Sequence, residues 1–275
     1  MINTMSTKKR DTMTFASPTG INPQATQGAQ ANQPLTIAGP VTNTTYGRNH
    51  VMIYSPYKRW LTSSGSQINA QRTATRIYAK GVREVLTLVP TDSSTWWWRR
   101  IVFAFKGQLG PATAFNRVTA AQVNPNDVTY RWQYDLSGDP TASATDNTKV
   151  LDAIYNTVFK GVYGTDWTNV QAAKTDTSRV TVMSDSRLTL SSGNEEAKPR
   201  IVKRYHPVNK TIVFDDDENA TTITPQNYAT ATKQGIGDVY ILDFFTCPVP
   251  ASTGTGTANS QLGIAIENTT YWHEK

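Results

Sequence analysis

Trp96-Trp97-Trp98-Arg99-Arg100-Ile101-Val102-Phe103-Ala104-Phe105-Lys106 is rich in aromatic and β-branched residues and meets no breaker until Gly107. Such side chains pack best on a pleated surface, so the stretch reads as a strand. Successive side chains on a strand point to opposite faces. Trp97, Ile101, Phe103 and Phe105 then share one face with Arg99, and this set is predicted to be core. Trp96, Trp98, Arg100, Val102, Ala104 and Lys106 share the other. Large aromatics mixed with two cations suit a subunit interface or core first, and base stacking second.

Outward from this strand the same grammar repeats. Upstream, Val51, Ile53 and Tyr54 mark a short strand within 47–57, and Tyr78 to Val89 a longer one over 76–90, stopped by Pro90. Downstream, apolar runs predict strands at 128–134, 179–190, 200–206, 210–214, 237–247 and 261–272. Eight or nine strands punctuated by Gly, Pro, Asn and Ser suffice for a two-sheet sandwich. One helix is predicted over 148–160, where Leu151, Ile154, Tyr155 and Val158 recur at helical spacing and Gly161 can end it. Residues 1–46, rich in Gln, Asn, Thr, Pro and Gly, read as a flexible N-terminal arm, and 47–275 as one folded domain.

Charge is unevenly placed. Residues 48 to 106 carry ten Lys and Arg against only Glu84 and Asp92, whereas 107 to 275 carry fourteen basic and eighteen acidic side chains. A basic N-terminal portion points to a polyanion met on one face. The candidate contacts are Lys8, Lys9, Arg10, Arg48, Lys58, Arg59, Arg72, Arg76, Lys80, Arg100 and Lys106, with Trp98 as the stacking ring.

Catalytic signatures are missing. The sequence has no HExxH, GxSxG, P-loop or Cys/His cluster at metal spacing, so neither an enzyme nor a cofactor is predicted. Cys247 lies in an apolar strand and reads as a packed thiol, and one cysteine excludes a disulfide within the chain. His206, beside Pro207, reads as structural, and Gly254-Thr255-Gly256 as a loop. Asp215, Asp216, Asp217 and Glu218 are the weak candidate for a hard cation, although consecutive carboxylates point different ways and a solvated acidic turn is the plainer reading. The sequons at Asn43, Asn209, Asn219 and Asn268 read as chance matches. No run approaches the ~18 apolar residues of a membrane span, and no apolar leader follows Met1, so neither membrane nor secretion is expected.

Several segments, in order, resemble one family. Tyr78-Ala79-Lys80-Gly81 leads into Thr95 to Gly107, followed by Ser192-Gly193-Asn194-Glu195, Lys203 to Lys210, Ile212 to Glu218 and Gly237 to Asp243. Lys8 to Met13 precedes them. This ordered set resembles genomovirus capsid proteins, relatives of the geminivirus coat. The resemblance implies an all-β, eight-stranded antiparallel jelly roll that assembles with itself into a small icosahedral shell around circular single-stranded DNA. It implies no small-molecule substrate, and location in the virion and, during assembly, the host nucleus. The family's Arg-rich stretch does not precede Lys8 here, so shells that are empty or hold nucleic acid weakly are expected. Two other readings fit the same residues: a monomeric β-sandwich binding or shuttling single-stranded nucleic acid, and a carbohydrate-binding module, against which the basic charge argues.

Overall fold

The computed structural model describes residues 6–17, 30–39, 49–61, 70–107, 109, 121–122, 129–137, 144–192, 196–220, 222–248 and 260–274. The first half of the chain contributes β1 (Thr7–Met13), β2 (Phe15–Ser17), β3 (Gln30–Ala31), β4 (Leu35–Gly39), β5 (Asn49–Tyr54), β6 (Arg76–Pro90), β7 (Trp96–Phe105), β8 (Ala121–Gln122) and β9 (Thr129–Trp132). Then come α1 (Ala144–Val158), β10 (Thr181–Leu190), β11 (Arg200–Val213), β12 (Asp217–Asn219), β13 (Thr222–Thr224), β14 (Asp238–Thr246) and β15 (Ser260–Glu274).

Two antiparallel sheets pack face to face. The first runs β1-β15-β6-β11, with β4 also on β15, beyond the end of β1. The second runs β10-β7-β14-β5. Counting β1 and β4 as one interrupted strand leaves eight, ordered 1-8-3-6 in one sheet and 2-7-4-5 in the other. That is the order of a jelly roll, two Greek keys wound into a sandwich. A smaller sheet, β3-β2-β9-β8, and the β12–β13 hairpin complete the strands.

Part of the expected arm is built into the sandwich. Thr7 to Met13 and Leu35 to Gly39 are ladder strands on β15, with Met13, Leu35 and Ile37 buried. Alternating apolar residues among polar ones are what a half-buried edge strand needs, and the polar composition of 1–46 hid that pattern.

The two faces of β7 are not core and exterior. Trp96, Trp98, Val102 and Ala104 lie between the sheets, against Leu86, Leu88 and Ile264 at one end and Ile77 and Ala79 at the other. Ile101 and Phe103 pack on the opposite side with Val150, Leu151, Ile154, Tyr155 and Val158 of α1. The helix and the segment after it thus cover the outer side of the second sheet, so β7 is buried on both faces. Trp97, expected in the core, is 37% exposed, whereas Trp98, whose face was read as interface or core first and base stacking second, is 2% exposed. For Trp98 the expectation assumed a sheet covered on one side only, whereas Trp97, at the start of β7, stays partly exposed on the side where Ile101 and Phe103 are covered.

Candidate nucleic-acid interface

Five of the ten described candidate cations are committed inside the fold. Arg100 is enclosed between the sheets, its Nε and Nη2 donating to Asp243 at 2.7 and 2.8 Å and its Nη1 to Glu84. Arg131 donates to the other Glu84 oxygen at 3.2 Å, and the Trp98 indole donates to Asp243 at 2.7 Å. Burial pushes the Glu84 carboxyl up, but the Arg100 and Arg131 guanidiniums and the nearby His206 hold it well below the usual carboxylate range. Arg72 grips Asp216 with two bonds, at 2.6 and 3.0 Å, and lies 3.8 Å over the Phe214 ring. Lys9 is buried against Glu274 at 2.7 Å, and Arg59 reaches Asp11 at 2.6 Å. Lys58 is buried, and this draws its ammonium down to about 8, against the pull of Asp238. A buried charge is tolerable only when paired, and each pairing removes a cation from any outside partner.

These residues are therefore corrected from contact to framework: Lys9, Lys58, Arg59, Arg72 and Arg100, together with Trp98, whose ring stacks on Phe245 at 5.8 Å. Lys106 is exposed but spends its ammonium on the carbonyls of Thr232 and Lys233. Arg48 lies outside the described residues. The acidic run diverges: Asp216 turns in to Arg72, while Asp217 and Glu218 are exposed on β12. Among the described residues no group of three or more His, Cys, Asp or Glu side chains is placed to hold a metal ion.

What remains converges on the outer face of the first sheet. The ladders align Lys8, His273, Tyr78 and Thr211 in one row across β1, β15, β6 and β11. The next row is Arg10, Tyr271, Gly81 and Pro207, and the next Thr12, Thr269, Arg83 and Tyr205. Lys8, Arg10, Lys80 and Arg83 are exposed, and with Tyr205, Tyr271 and His273 they line a groove of about 600 Å³. Arg76 extends the face at the start of β6, within 3.4 Å of Gln234. Among the described residues no ion pair ties Lys8, Arg10, Lys80 or Arg83 to a carboxylate. Partial burial, then Lys8 and Lys80, push the His273 imidazole below its usual range, as a crowd of cations should.

A bulge builds this face. Strict alternation would put residues 80 and 83 on opposite sides of β6. Here Tyr271 pairs with Gly81 and Trp272 with Ala79, so Lys80 is the extra residue, and β11 skips the same position. The phase resets, Ala79 and Val82 both point inward, and Lys80 and Arg83 both point out. Lys80 is steadied by Asn209 at 2.9 Å, itself in the left-handed conformation at the matching irregularity of β11.

Sequence reasoning found Lys8, Arg10, Arg76 and Lys80 but missed Arg83, Tyr205, Tyr271 and His273 as members of one site. The signal was a glycine inside an apolar strand, which marks a bulge or a close approach. Cations at exposed ends and rings between them offer phosphate neutralisation and π-faces, the contacts that single-stranded nucleic acids meet without base reading.

No protein-family model matches the chain, and no curated protein matches it. Among solved structures, an unassembled Washington University polyomavirus VP1 pentamer carrying a point substitution is 9% identical, covering 98% of this chain and 93% of that one. Its TM-score is 0.11, too low for the likeness to carry an argument.

Proposed function

We propose that the chain is a structural capsid subunit that assembles with itself into a small closed shell around single-stranded DNA, and that its role is not catalytic. The observation that carries the reading is a jelly roll that pairs its buried cations internally while leaving one sheet face cationic and aromatic. Closed symmetric shells need a rigid subunit with extended surfaces for heterologous contact, and a polyanion cargo needs one face of unpaired positive charge. The ordered segments that resemble genomovirus capsid proteins support it: all but two fall on β1, β6, β7, β11 and β14, strands of both sheets, Ile212 to Glu218 runs from β11 to β12, and Ser192 to Glu195 lies mostly outside the described residues. On this reading the protein resides in the virion, passing through the host nucleus.

Negative-stain microscopy and light scattering of the purified full chain test the proposal. Closed particles of uniform size are expected. Monomer alone across protein concentration, pH and salt would overturn it in favour of a free-standing nucleic-acid-binding sandwich.

A further inference from the structure

We propose that Tyr205 is a base-stacking platform that makes the outer face of the first sheet prefer unpaired strands to duplex. The inference rests on that face meeting nucleic acid, and it adds which chemical form is held.

A tyrosine upright on a strand carries its hydroxyl well clear of the sheet. Tyr205 does not stand. A Cβ placed on Gly81 would lie 2.5 Å from the Tyr205 hydroxyl and 2.7 Å from its Cζ. The ring therefore reaches from β11 across to β6 and lies down in the space that the glycine leaves, with the residue still 50% exposed. The tip of the ring rests on the sheet at Gly81, and half of the residue stays open to a ligand. Tyr271, on the row that contains Gly81, flanks it from β15, where Tyr57 donates to the Tyr271 carbonyl at 3.2 Å and fixes the strand from beneath. Arg83 sits directly opposite Tyr205, Lys80 projects from the bulge, and Arg10 lies opposite Tyr271.

A pre-placed ring between cations matches a nucleotide whose base is free to stack and whose neighbouring phosphates are in reach. In a duplex the base faces are occupied by neighbouring bases, so only the phosphates can use the site. Stacking tolerates any base because every base has a π-face.

The test measures affinity by fluorescence anisotropy for three ligands: a labelled oligo(dT), a duplex of the same length, and inorganic polyphosphate as competitor. Tyr205→Ala is expected to weaken oligo(dT) binding about 5- to 150-fold, leaving duplex and polyphosphate within about twofold. Tyr205→Phe is expected to keep oligo(dT) affinity, because the ring remains. Arg83→Ala should weaken all three ligands alike. In the unmutated chain, photo-crosslinking to oligonucleotides containing 5-iodouracil should map to Tyr205 by mass spectrometry, a readout independent of whether variants fold. Equal losses on all ligands with Tyr205→Ala, or crosslinks confined to other residues, overturn the platform while leaving the cationic face intact. Failure of the unmutated protein to bind any of the three overturns the face itself, and the platform with it.

Discussion

Trp97 and Trp98 are neighbours in sequence, yet one is a partly exposed ring and the other is sealed between two sheets, stacked on Phe245 and hydrogen-bonded to Asp243. Trp98→Ala should cost about 3–5 kcal/mol, as a large buried side chain lost to a cavity does, while Asp243 keeps its Arg100 donors. Trp97→Ala should stay within about 1 kcal/mol. Urea unfolding followed by circular dichroism separates the two, and the reverse ranking would contradict the packing described. Asp238 presents the other residue-scale expectation. Burial pushes its carboxyl up to about 6, against the Ala229 amide, Lys58 and Tyr240, which favour the charged form. A folded-state value above the unfolded one means that its stabilising contribution is complete below about pH 4 and is lost as pH rises through 6. Asp238→Asn keeps an acceptor for the Ala229 amide and cannot ionise. Its stability relative to the parent should improve by up to about 3 kcal/mol between pH 4 and pH 7. A parent-to-variant difference that is flat across that range would contradict it.

At the scale of elements, the long strands from β5 onward were legible in the sequence, but β1 to β4 and the short strands β8, β12 and β13 were not. The run 76–90 is β6 to the residue, and the stretches at 200–206 and 210–214 merge into β11 because the irregularity around Asn209 interrupts the ladder without ending it. α1 begins a turn earlier than the apolar spacing indicates and ends by Gly161, as predicted. Which charges are buried was not legible, because the partners are remote: Arg72 and Asp216 are 144 positions apart, and Arg100 and Asp243 143. Local composition shows a basic cluster; only the Greek-key crossing shows that it is neutralised. The bulge at Lys80 was equally hidden, since one skipped position changes which face every later residue occupies. Junctions between elements are tight where glycine allows it. Gly237, at φ +89° ahead of β14, would place a Cβ 2.3 Å from the Phe105 carbonyl oxygen. Gly164, at φ +84°, has nothing within 4 Å of that position. Gly164→Ala should therefore cost only the backbone strain, about 1–3 kcal/mol. Gly237→Ala should cost clearly more, because backbone must move, and thermal melts of the two variants compare them directly.

For the whole molecule, the outer face of the first sheet predicts how cargo is held. Binding of single strands should fall with salt at about 0.7 log units per log unit of salt for each phosphate neutralised. Alanine at Lys8, Arg10, Lys80 or Arg83 should each reduce that slope by about 0.7 if the residue neutralises one phosphate. Lys9→Ala should instead lower stability and leave the slope unchanged, since Lys9 is committed to Glu274. Titrations at several salt concentrations report both. The position of β15 has one more consequence, in time rather than in space. Among the described residues β1 and β4 join the first sheet through β15 alone, so Lys8 waits for His273, and Arg10 for Tyr271. At ribosomal rates of about 5–20 residues per second, more than two hundred and fifty residues of synthesis separate them, on the order of ten to fifty seconds. Through that interval the rows of cations and rings do not exist as a surface. A growing chain carries the charges but not their arrangement, so nucleic acid meets the assembled groove only after translation has delivered the strand that closes it.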